Sequence, residues 1–99
     1  MLLGQRNLAS GDTRRITIDY TDFLPKGVVL ATATVTLTPS GLTSSVQAPS
    51  LTDNKEGIYF LITGGSAINE AFTANVQVTD TYGETVNDTL NFTVVSPGS

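Results

Sequence analysis

An all-β domain, an antiparallel sandwich of about seven short strands, is the fold class this 99-residue sequence predicts. Three observations predict it. Sixteen threonines are spread along the chain, most of them alternating with apolar residues at a period of two, which marks strands with one buried face. Turn residues recur about every ten positions. No stretch carries a convincing 3.6-residue period. The one helical candidate, residues 68–75, contains the poor helix formers Asn69, Thr73 and Asn75 and alternates more strongly than it repeats helically.

Taken in order, residues 1–14 stand outside the strand pattern. They are polar apart from Leu2, Leu3 and Leu8 and carry Gly4 and Gly11, so they read as a flexible N-terminal arm, either a frayed terminus or a segment that orders on a neighbouring subunit with its leucines as anchors. Strand character begins at Arg15, with Ile16, Ile18 and Tyr20 facing inward. From Leu30 to Thr38, Ala31, Ala33, Val35 and Leu37 take one face and four threonines the other, until Pro39-Ser40-Gly41 stops the ladder. Shorter strands are expected at 43–48, near Leu51, and at 58–63 before Gly64-Gly65.

The second long alternation sets Phe72, Ala74, Val76 and Val78 against Thr73, Asn75, Gln77 and Thr79. Asp80-Thr81-Tyr82-Gly83 ends it, with Gly83 suited to the left-handed position of a hairpin turn. The return strand points Val86, Leu90, Phe92 and Val94 inward. Asp88 falls in phase with that apolar set, which predicts a bulge near Asn87 or an open sheet edge there. Six or seven strands with such turns match an immunoglobulin-like sandwich with Greek-key connections, covering residues 15–96.

Composition removes several function classes. There is no cysteine, hence no disulfide, thiolate nucleophile or cysteine zinc site, and no histidine, the commonest general base and metal ligand. Serines therefore lack their usual activating base, and the chain reads as not an enzyme. The net charge of −4 is uneven: Arg6, Arg14 and Arg15 against Asp12 make the first fifteen residues positive, and the remainder is acidic. An acidic body repels phosphate backbones, so no nucleic-acid partner is expected. No apolar run approaches the roughly 20 residues that span a bilayer, and no export signal is visible, so no membrane partner is expected either.

The densest polar and aromatic cluster runs from Asp19 through Tyr20, Thr21, Asp22, Phe23, Leu24 and Pro25 to Gly27. Two carboxylates three residues apart are too few for a calcium site, which takes six to eight oxygens. The plainer reading has Asp22 capping the turn while Phe23 and Leu24 plug the end of the sandwich. The segment 53–57 reads as a solvated turn. Gly64-Gly65-Ser66 lacks the following helix and lysine of a phosphate loop. No cofactor, metal or catalytic residue is expected.

The succession Asp19-Tyr20-Thr21-Asp22-Phe23-Leu24, then Gly27, the alternating strand from Leu30, Gly41-Leu42-Thr43, Gly64-Gly65, the strand from Phe72, and Asp80-Thr81-Tyr82-Gly83-Glu84-Thr85 resembles small immunoglobulin-like virion proteins of tailed bacteriophages, including those described as fiber-tail adaptors. The resemblance covers about residues 15–95. Tyr20 and Phe23 stand where tryptophans are expected, and Phe72, where a tyrosine is common, cannot supply a tyrosine-corner hydroxyl.

The resemblance implies a structural subunit of the virion, assembled in the host cytoplasm. It would join other virion proteins as a neck, tail or fiber adaptor and be present as a homo-oligomer or symmetric array. Capsid decoration is the nearest alternative. A carbohydrate-binding module for host adsorption is a third reading, for which Tyr82 is the one tyrosine plainly in a loop. The expected interface residues are Leu2, Leu3 and Leu8 of the arm, Arg14 and Arg15, the Asp22-Phe23-Leu24 loop, and Tyr82.

Overall fold

The computed structural model describes residues 2–97. It contains eight strands: β1 (Leu2–Ala9), β2 (Thr13–Asp19), β3 (Leu30–Thr38), β4 (Ser45–Val46), β5 (Ser50–Leu51), β6 (Gly57–Thr63), β7 (Ala71–Asp80) and β8 (Thr85–Val95). One sheet has the order β1-β8-β7-β3. In the other, β6 is flanked by β2 on one edge and by the short β4 and β5 on the other. The two layers form a β-sandwich with overall dimensions of 44 × 23 × 20 Å.

The alternating residues meet where their period requires. Phe72, Ala74, Val76 and Val78 of β7 and Leu90, Phe92 and Val94 of β8 are buried, opposite Ile16 of β2 and Ile58, Phe60 and Ile62 of β6. Phe72 and Phe92 are register partners and stack at 5.3 Å between ring centres, a favourable offset for two aromatic rings. The outer face of the first sheet carries hydroxyl and amide side chains in cross-strand rows. Thr34, Gln77 and Asn87 form one, and Thr36, Asn75 and Thr89 the next.

Three local expectations are corrected, and a fourth is decided between its alternatives. The segment expected to be a flexible arm is largely β1, which runs parallel to β8 in register from Gly4↔Leu90 to Ala9↔Val95. Leu8 is only 2% exposed, so its burial in this chain's own core, paired opposite Val94, orders the segment. Of the two alternatives at Asn87, the bulge is excluded, since β7 and β8 pair without a shift from Ala71↔Thr93 to Thr79↔Thr85 and the ladder carries Asp88 into the interior; among the described residues β1 pairs with β8 from Thr89 onward, in keeping with the open edge. Ala31 faces out, because β3 shifts register between Leu30 and Thr32.

The strand expected at 43–48 shrinks to two residues for an electrostatic reason. The Glu70 carboxylate accepts the backbone N–H groups of Thr43 and Ser44 and both hydroxyls, at 2.9–3.1 Å. Donors taken by a carboxylate are lost to a sheet ladder. These bonds hold the Glu70 carboxyl below its usual range, the Thr43 backbone N–H first among them.

Candidate functional site

At one place the edge formed by β1 and β8 stands away from the end of β2, leaving an open cleft of about 370 Å³. Leu3 of β1, Ile18 of β2, Phe23 of the following loop and Val86 of β8 supply its apolar walls, and Asp19 and Asp22 lie at its polar margin. A concavity lined by apolar side chains with a few convergent polar groups is the usual form of a binding site.

The loop that carries Phe23 is built by short-range bonds. Asp19 Oδ1 accepts the Thr21 N–H at 2.9 Å and the Thr21 hydroxyl at 2.5 Å. The Tyr20 carbonyl accepts the N–H groups of both Phe23 and Leu24 at 3.0 Å. The turn is therefore capped by Asp19 and not by the expected Asp22, since a side-chain oxygen two residues ahead of a donor closes an Asx turn. The Thr21 hydroxyl, and then its N–H, lower the Asp19 pKa. Freed from capping, Asp22 is exposed, as is Phe23 at 37%.

Tyr20 and Asp88 lie at the cleft and are both buried, at 5% exposure each. The Tyr20 hydroxyl makes no well-formed hydrogen bond. Removal from water, and secondarily the nearby Asp88 carboxylate, push the phenol far above its ordinary range, so it stays protonated. A protonated phenol can donate to a ligand oxygen but cannot act as a base near neutrality. Among the described residues, no cluster of three or more histidine, cysteine or acidic side chains is placed to hold a metal ion.

The structure brings Leu3, Asp22 and Phe23 together in this cleft. Leu24 packs half-buried on the core, Leu8 is in the core itself, and Leu2 is 58% exposed at the start of β1. Arg14 and Arg15 belong to a second concavity with Arg6 and Leu8. There Arg14 pairs with Asp12 at 3.4 Å, and Arg15 lies over the Tyr59 ring at 4.2 Å.

Tyr82, 77% exposed, crowns the β7–β8 hairpin. Asp80, almost fully buried, holds that turn by accepting the N–H groups of Tyr82 and Glu84 through Oδ1 at 2.8 and 3.0 Å. Sequence reasoning did not assign Tyr20 or Asp88 to a site. The available signal was Asp88 itself, a carboxylate in phase with an inward-facing apolar set.

No family model matches the sequence, and comparison with curated proteins finds no match. Among solved structures, the chain is similar to part of a 2,6-sialyltransferase from Vibrionaceae Photobacterium sp. JT-ISH-224, solved in a ternary complex with the donor product CMP and the acceptor substrate lactose. The match has a TM-score of 0.56 at 12% identity, covering 98% of this chain and 18% of that one. Likeness at this identity shows the fold.

It also overturns the expectation that the chain is not an enzyme, which rested on the missing histidine and cysteine. The sialyltransferase carries a sandwich of this shape as a small part of its length, so a domain's lack of such residues does not exclude membership of an enzyme chain.

Proposed function

We propose that this chain is a docking module of a tailed-bacteriophage particle, joining one virion component to another at the neck, tail or fiber attachment. The observation that carries the reading is the cleft in which Leu3, Asp22 and Phe23 converge. An exposed aromatic at the lip of an apolar recess is the form of an interface anchor. The order of motifs shared with small immunoglobulin-like virion proteins supports the virion setting, and an ordered Phe23 loop on a rigid sandwich supports a connector. Capsid decoration stands beside it as a second position for the same module.

Cryo-electron microscopy of the particle tests this directly. Density for the sandwich at the neck or fiber base is the expected result, density spread over the shell moves the module to decoration, and absence from the particle overturns the virion reading. In the same system Phe23→Asp is expected to lower incorporation while leaving the melting temperature of the free chain unchanged.

A second reading has its own support. The likeness to part of a sialyltransferase solved with lactose favours an accessory sandwich in a chain that handles sugars. Chemical-shift changes around Tyr82 or the cleft on titration with lactose would favour it over the virion reading.

A further inference from the structure

A β-sandwich has free strand edges, and natural sheets guard such edges with charge, bulges or brevity. Three of the edge positions here are guarded. β1 shifts register between Leu2 and Gly4 and carries Arg6. β2 carries Arg14, Arg15 and Asp19, and β4 and β5 are two residues each.

β3 is different. It is nine residues long, from Leu30 to Thr38, with no charged residue, glycine or proline within it. Its register shift lies at its first residues, and from Thr32 to Thr38 it pairs with β7 without interruption. Its Leu30 N–H is tied to the Lys55 carbonyl at 2.8 Å. β4 and β5 approach it from the facing sheet but take their strand hydrogen bonds from β6. Among the described residues, no strand pairs with its far side.

The geometry points to β3 as a pairing edge for a second copy of this chain, joined antiparallel about a two-fold axis through Thr34. A two-fold contact requires a self-complementary edge, and the uncharged, alternating β3 supplies one. With Thr34 opposite Thr34 of the second copy, Thr32 meets Thr36 of that copy, Ala33 meets its Val35, and Ala31 meets its Leu37.

From Thr32 to Thr36 every pair is like with like. Thr32, Thr34 and Thr36 lie on the outer face, where their hydroxyls meet as those of Thr79 and Thr85 already do across β7 and β8 at 3.1 Å. Ala33, Val35 and Leu37, half-exposed against the core in one copy, gain cover from their counterparts. No charge faces a charge along the seam. The product is an eight-stranded sheet whose threonine, asparagine and glutamine rows continue from one copy into the other.

The whole chain bears −4, so two copies repel at long range while their seam is neutral. Added salt therefore strengthens this association instead of weakening it. The inference does not depend on the virion reading.

Sedimentation of the full chain over a micromolar to millimolar series tests it. The expected result is a mass rising toward twice 10.4 kDa, with tighter association at higher salt. Thr34→Lys, at an exposed position, sets like charges on the axis and is expected to weaken association about fivefold or more while the melting temperature holds. Mixing Thr34→Lys with Thr34→Glu is expected to restore a heterodimer. A single mass of 10.4 kDa throughout, or a dimer indifferent to Thr34→Lys and to the mixed pair, overturns the inference.

Discussion

Truncation of Leu8 tests whether β1 is part of the folded unit. In Leu8→Ala, three carbons leave a site that is 2% exposed. Their transfer from water is worth about 2.4 kcal/mol at ~0.8 kcal/mol per carbon. A residual cavity adds to that cost, and because β1 lies at a sheet edge and can settle inward, the addition is small. The expected loss is about 3 kcal/mol, in the lower part of the range for buried leucines.

A domain of this size unfolds with an entropy near 0.2 kcal/mol per kelvin, so Leu8→Ala should melt about 15 °C below the parent. Leu2→Ala, at a side chain 58% exposed, serves as the control and should change stability by under about 0.5 kcal/mol. Circular dichroism melts of the two variants and the parent decide the matter. A Leu8→Ala melt within about 2 °C of the parent would refute the placement of β1 in the core and restore the picture of a detached arm.

Three further outcomes follow from the same geometry. Glu70, whose ordinary pKa of 4.5 is lowered by its bonds to Thr43 and Ser44, contributes stability that is present above that value and lost as pH falls through the lower folded-state value. Thermal melts from pH 6 down to about 3 should show an acid loss that is reduced in Glu70→Gln, and an unchanged acid slope would contradict the clamp. Gly64→Ala would place a Cβ 2.5 Å from the Ala9 carbonyl oxygen. Urea titration should find it destabilised by about 1–3 kcal/mol, since backbone yields poorly to overpacking. Tyr20→Phe takes a buried hydroxyl away from the buried Asp88 carboxylate, so urea titration should find a loss of about 1–3 kcal/mol, and unchanged stability would show that the hydroxyl does not serve Asp88.

Alternation made most of the sheet legible. β3 and the paired β7 and β8 lie where threonine and apolar residues trade places, because a strand turns successive side chains to opposite faces and one face must leave water. The turn at Asp80–Gly83 was equally local: Gly83 sits at φ 85° and donates its N–H to the Asp80 carbonyl at 3.1 Å. The Phe23 loop was visible as a cluster, although the choice between Asp19 and Asp22 as its cap was not. Both carboxylates offer the same chemistry, and backbone geometry alone aligns one of them.

What required the folded chain were relations between distant residues. β1 has weak alternation, and its place depends on Leu8 finding Val94 some eighty-six positions away. The shortening of β4 depends on Glu70 reaching Thr43 and Ser44 across twenty-six or more positions. The cleft assembles Leu3, the loop of Tyr20 and Phe23, and Asp88 from three separate segments. Period and turn chemistry act between neighbours in the chain and are therefore written into the order of residues. Strand order, edge exposure and the meeting of far segments arise from burying one common set of apolar faces, and that condition is satisfied only by the chain as a whole.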